Sequence, residues 1–90
     1  MEIEFDQDKR DKTLQERSID FAGAAEVFAG PTLTEQDTRF DYGESRFITL
    51  GFLATRPVVL VWTPRGVSRR IISMRYANER EKKKIIKFLD

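Results

Sequence analysis

The sequence predicts an α+β domain in which helices pack on a small sheet that carries most of the chain's arginines. Three observations lead there. Residues Arg46 to Tyr76 contain three strand-like runs in succession, among them the longest apolar stretch, Val58-Val59-Leu60-Val61-Trp62. These runs lead into a basic helix with capping-box spacing, Asn78-Glu79-Arg80-Glu81. Two further helical patterns, one charged and one apolar, come earlier in the chain. Ninety residues suffice for one hydrophobic core, so residues 1–90 are read as a single domain.

Taken in order, Glu2 to Phe5 is a short strand with Ile3 and Phe5 on one face. Asp8 to Arg17 is a charged helix with Leu14 as its only large apolar residue, so it lies at an edge with most of its surface in water. Asp20 is an N-cap. Behind it Phe21, Ala24, Ala25 and Phe28 form an apolar helical stripe that Gly30-Pro31 ends. Thr32 to Glu35 is a strand, and Gln36 to Gly43 is a polar loop, expected to be the most mobile.

Phe47 to Leu53 is the first strand of the long block. Val58 to Trp62 is apolar on both faces, as a central strand is, and Pro57 marks its start. Thr63-Pro64-Arg65-Gly66 is expected to turn the chain into a third strand, Val67 to Tyr76. Strict alternation there puts Arg69, Ile71, Ser73 and Arg75 on one face and Arg70, Ile72, Met74 and Tyr76 on the other. The last helix runs to about Phe88. Ala77, Glu81, Ile85 and Phe88 lie near its inner face, with Lys82, Lys83 and Lys84 toward solvent or a partner.

Charge and composition narrow the function. The net charge is +1, but residues 1–45 carry 12 acids and 5 bases while residues 46–90 carry 3 acids and 11 bases. That asymmetry predicts a basic surface for a polyanion or an acidic partner. With no cysteine and no histidine, serine–histidine, thiol and histidine-pair mechanisms are excluded for this chain alone. No metal site and no cofactor is expected. No run approaches the roughly 18 apolar residues of a membrane span. The acidic start lacks the basic and apolar regions of a signal peptide, so the expected location is the cytoplasm.

The string Arg70-Ile71-Ile72-Ser73-Met74-Arg75-Tyr76-Ala77-Asn78-Glu79-Arg80-Glu81 resembles the closing motif of the BrnT family of bacterial type II toxins. Earlier landmarks agree in order: Phe5-Asp6 with Lys9, Asp20-Phe21 with Ala24-Ala25 and Phe28, Gly43-Glu44-Ser45-Arg46 with Ile48-Thr49-Leu50-Gly51, and Val61-Trp62-Thr63-Pro64-Arg65-Gly66. The resemblance implies a RelE-like fold, with helices on an antiparallel or mostly antiparallel sheet and a C-terminal helix. It implies a metal-independent endoribonuclease that blocks translation. It also implies a cognate ribbon-helix-helix antitoxin, a two-plus-two assembly, and contact with operator DNA only through the antitoxin. Relatives commonly carry Lys-His-Gly after the first helix, where this chain has Glu16-Arg17-Ser18. Either the chemistry rests on other groups here, or that position is structural and Arg17 fills it.

Metal-free RNA cleavage needs a base for the 2′-hydroxyl, positive charge on the phosphorane, and a proton donor for the leaving oxygen. The candidate base is Glu44, beside Arg46. Arg75 is the leading phosphate clamp and Arg46 the second, because a guanidinium fork suits phosphate. Arg80, in the first turn of the last helix, completes the catalytic set. Arg65, Arg69 and Arg70 are expected to hold neighbouring phosphates, and Tyr76 to stack on a base or donate a proton. The expectation is that several of these guanidiniums meet in one anion-sized notch beside the central strand. The contrasting reading is a binding module without catalysis.

Overall fold

The computed structural model describes residues 2–89. The elements are β1 (Glu2–Phe5), α1 (Gln7–Arg17), a 3-10 turn (Phe21–Gly23), α2 (Ala24–Ala29), β2 (Leu33–Asp37), β3 (Arg46–Leu53), β4 (Arg56–Arg65), β5 (Ser68–Tyr76) and α3 (Glu79–Leu89). The strands form one sheet in the order β1-β5-β4-β3-β2. β1 runs parallel to β5 and every other pairing is antiparallel. The architecture is α+β and mostly antiparallel, with β4 in the middle as its two-sided apolar pattern predicts.

Local chemistry explains the helix starts. Asp6 caps α1 by accepting from the Lys9 backbone N–H at 3.0 Å. Asp20 accepts from Ala22 N–H at 2.9 Å and also takes a two-pronged bond from Arg10, at 3.0 and 2.8 Å, which ties α1 to the segment that follows. The chain does not enter a regular helix at once there. A 3-10 turn, with three residues per turn, lines up Phe21, Ala24 and Val27 as the buried stripe, so Val27 takes the core position expected of Ala25.

α1 and α2 cover one face of the sheet. Phe21, Ala24 and Val27 meet Val58, Leu60, Trp62, Ile71 and Met74 there, with Ile3, Phe5 and Phe47 at the margin. α2 approaches β3 so closely that a Cβ on Gly51 would lie 2.7 Å from Val27 Cγ1. The second face carries Leu33, Ile48, Leu50 and Val59, and α3 packs on it through Ile85 and Leu89, with Ala77 just ahead of the helix. Phe88 is 58% exposed; Leu89, four residues after Ile85, takes the inner position instead.

Two departures concern β4 and β5. Pro64 lies inside β4, opposite Arg69, and the turn falls at Gly66-Val67. β4 has run past the start of β3 at that point, so a residue without an N–H is tolerated. Further along, Val61 pairs with Ser73 but Trp62 pairs with Ile71, leaving Ile72 as a bulge. The bulge resets the alternation. Arg69 and Ile71 now share the α2 side with Met74 and Tyr76, while Arg70, Ser73 and Arg75 share the α3 side. The capping box forms as its spacing predicts: Glu81 N–H donates to Asn78 Oδ1 at 2.8 Å, and Asn78 N–H to Glu81 Oε1 at 2.9 Å.

Candidate nucleic-acid interface

α3 shields only one end of its face of the sheet. The other end stays open and carries a row of charge. Asp37 stands opposite Arg46 on β2 and β3, and Thr63, Arg70 and Glu4 stand in register across β4, β5 and β1. Thr63 is buried, its hydroxyl donating to the Ser45 carbonyl at 2.7 Å. That bond fixes the strand end from which Glu44 and Arg46 project.

Glu44, Arg46 and Arg65 do come together. Arg46 Nε donates to Glu44 Oε2 at 3.3 Å, and Arg65 Nη2 lies 3.9 Å from Glu44 Oε1. The Arg46 guanidinium also lies over the Tyr42 ring, 4.1 Å from its centroid. Tyr42 donates its hydroxyl to Asp37 at 3.0 Å, and Asp37 takes a forked bond from Arg39 at 2.8 and 2.9 Å. The Arg39 donors, helped by Tyr42, hold the Asp37 carboxyl far below the usual carboxylate range despite its burial. Through Asp37, which stands opposite Arg46, Arg39 is held at the same end of the sheet.

Arg75 is held end-on. Its Nη1 donates to Glu81 Oε1 at 2.7 Å and its Nη2 to Oε2 at 2.8 Å; Nη1 also reaches the Tyr76 carbonyl at 3.4 Å. This pairing lowers the Glu81 pKa and raises that of Arg75, so both stay charged. Nε–H and the second hydrogen of Nη2 remain, side by side on one edge of the guanidinium, with no partner among the described residues. Arg80 lies exposed on the first turn of α3. It lines a groove of about 420 Å³ between that helix and β2–β3, floored by Leu33, Ile48 and Leu50 and crossed by a Lys84–Glu35 ion pair of 2.8 Å.

Other candidates lie elsewhere. Arg70 shares the face but is paired with Glu4 at 2.9 Å near the β1 edge. Arg69 and Tyr76 are on the opposite side, where the Ile72 bulge sends them. The Arg69 guanidinium lies over the rings of Phe28 (3.9 Å) and Trp62 (5.2 Å), and Tyr76 lies under Arg56 at 3.6 Å. The expected single notch is therefore corrected: Arg69 lies on the opposite face, the other candidate arginines are spread out rather than gathered, and Arg46, Arg70 and Arg75 each hold a carboxylate. Sequence reading missed Asp37, Arg39, Phe40 and Tyr42, taken only as loop. The available signal was the alternation of charge and aromatic rings from Asp37 to Tyr42.

Arg17 donates from Nη1 to the Met74 carbonyl at 3.3 Å. That carbonyl belongs to the stretch of β5 beyond the reach of β1. Ser18 follows with φ 56°, in the left-handed region that favours glycine. No helix among the described residues is long and apolar enough to cross a membrane, and no cluster of carboxylates there has metal-ligand geometry.

A mostly antiparallel sheet, covered by α1 and α2 on one face and in part by α3 on the other, with guanidiniums on the uncovered part of that second face, defines a small α+β protein. The family model described as "Ribonuclease toxin, BrnT, of type II toxin-antitoxin system" matches residues 5–81. The chain belongs to this BrnT family. No curated protein matches the chain in direct comparison.

Proposed function

We propose that this chain is an endoribonuclease that cleaves RNA without a metal, and that the open arginine face binds the phosphate undergoing attack. The observation that supports this most is the free edge of Arg75. Glu81 fixes the guanidinium from one side and leaves a two-donor fork on the other, which suits two oxygens of a phosphate. Arg39, Arg46 and Arg65 line the path of the flanking phosphates.

The reaction is transesterification. The 2′-oxygen bonds to the adjacent phosphorus as the bond from phosphorus to the 5′-oxygen breaks. The products are a 2′,3′-cyclic phosphate and a 5′-hydroxyl end. One proton leaves the 2′-hydroxyl and one is delivered to the departing 5′-oxygen. Glu44 is the base in this scheme. In the free protein its carboxylate is paired with Arg46 and Arg65. A bound phosphate competes for those guanidiniums and frees the Glu44 carboxylate to face the 2′-hydroxyl. Arg80 adds charge at the start of α3.

In this reading the toxin acts in the cytoplasm to block translation. It is neutralised by a ribbon-helix-helix antitoxin in a two-plus-two assembly that reaches operator DNA through the antitoxin. The outer side of α3, with exposed Ile86 and Phe88 among Lys83, Lys84 and Lys87, suits an acidic amphipathic segment of that antitoxin. A second reading, a binding module without catalysis, draws on the missing histidine and on the carboxylates already paired with the arginines. Expression in cells separates the two. Growth arrest with cleaved RNA, abolished by Arg75→Ala, supports the enzyme; harmless expression of folded wild type supports the module.

A further inference from the structure

The loop between β2 and β3 displays an aromatic ring in water and braces it from both sides. Phe40 is 70% exposed. An exposed ring on a slack loop would be unremarkable, but this loop is built around a buried anchor. The Asp37 side chain is 2% exposed and accepts from the Arg39 backbone N–H (3.2 Å), from Arg39 Nε and Nη2, and from the Tyr42 hydroxyl. Residues on both sides of Phe40 are thus tied to one carboxylate. Asp41 accepts from Gly43 N–H at 3.0 Å, and Gly43 closes the turn with φ 72°. Phe40 meets the Tyr42 ring edge-on, at 5.9 Å between centroids, and Arg46 lies over that same ring. Phe40, Tyr42, Arg46, Glu44 and Arg65 therefore form one continuous path onto the open face.

From this arrangement we propose that Phe40 is the stacking platform for an unpaired base of the RNA, next to the phosphates held by Arg39, Arg46 and Arg65. Aromatic rings among guanidiniums are the chemistry of single-strand binding: every base has a π-face to stack, and the backbone charge is met alongside. The brace lowers the entropy lost on binding, because the ring is already placed. Tyr42 is already engaged, with Arg46 over its ring and its hydroxyl donating to Asp37, whereas Phe40 is the more exposed ring. The inference rests on the ribonuclease reading and names a contact that reading does not need.

The test uses the full chain and a short, fluorescein-labelled 2′-O-methyl oligonucleotide, which lacks the attacking hydroxyl and cannot be cleaved. Wild type, F40W, F40L and F40A are titrated, with thermal unfolding confirming that each is folded. Stacking predicts binding weaker by roughly tenfold in F40A and F40L, and binding equal to wild type in F40W with its indole fluorescence quenched. On cleavable RNA, KM rises by the same factor in F40A and kcat is kept. Wild-type affinity in F40A overturns the proposal. So does full affinity in F40L, which would mean apolar contact without stacking, or an F40A defect confined to binding of a protein partner. A wild type with no affinity for the oligonucleotide defeats the ribonuclease reading itself, a result distinct from the others.

Discussion

The face of the sheet under α1 and α2 and the face under α3 are made by neighbouring residues of the same strands, yet they handle arginine in opposite ways. On the first face Arg69 is laid over Phe28 and Trp62, and its buried Nε has no hydrogen-bond partner among the described residues. Its long stem covers the core and its charge is met by ring faces. On the second face Arg46 and Arg75 are gripped by Glu44 and Glu81 and keep part of each guanidinium toward solvent. One face consumes its cation in packing; the other orients its cations and leaves them available. Sequence position does not determine which fate an arginine meets. Arg69 and Arg75 are six apart, an even number that strict alternation would put on one side, and the bulge at Ile72 separates them.

The comparison is most sharply stressed in the core of the closed face. Leu60 is fully buried there, so Leu60→Ala is expected to lower unfolding free energy by about 2–5 kcal/mol, as read by denaturant melts. Next comes the pair of arginines. Arg75→Ala should reduce kcat for RNA cleavage about 100-fold or more with a modest loss of stability, because it removes charge from the transition state. Arg69→Ala should do the reverse, costing about 1–2 kcal/mol of stability through lost stacking while kcat stays within a factor of a few. Equal loss of activity in both variants would erase the distinction between the faces.

Acid offers a smaller probe. Asp37 and Glu81 have pKa values depressed in the folded state by Arg39 and Arg75 respectively. Groups of that kind stabilise the fold above their unfolded pKa, about 4, and the contribution is lost as pH falls through the folded values. Stability should therefore decline below about pH 4, and Asp37→Asn should flatten the decline. The smallest effect belongs to the β3–β4 hairpin, where Ala54 and Thr55 both have positive φ, 47° and 69°. Thr55→Gly relieves a conformation that branched side chains resist and should raise stability by about 1 kcal/mol, seen as a higher Tm.

Much of this was legible in residue order, for reasons the structure makes clear. The strand block, the central place of β4, the capping box at Asn78 and Glu81, and the closeness of Glu44 and Arg46 depend on contacts local in sequence or on a strong apolar pattern. Elements that depend on distant pairing were not legible. The Ile72 bulge exists only because β4 and β5 meet out of step, and it decides on which face Arg69 and Tyr76 emerge. Pro64 reads as a turn because the end of β3 beside it, which lets a residue without an N–H sit in β4, is set by strand pairing and not by local composition. The stretch from Gln36 to Gly43 reads as a slack loop because nothing in its composition says that Asp37 is buried. The order of landmarks shared with the BrnT family carried further than any single one, since each marks a structural necessity: Asp6 a cap, Gly51 a close approach of α2, Trp62 a buried donor to Thr49 at 2.8 Å.

The central claim, that the open arginine face cuts RNA with this chain's own side chains, is tested most directly by end-group analysis of RNA incubated with purified protein in chelator. The account predicts fragments ending in 2′,3′-cyclic phosphate and 5′-hydroxyl, formed by wild type and by Arg69→Ala and lost in Arg75→Ala. Intact RNA with folded wild type, or cutting that persists undiminished without Arg75, would contradict it.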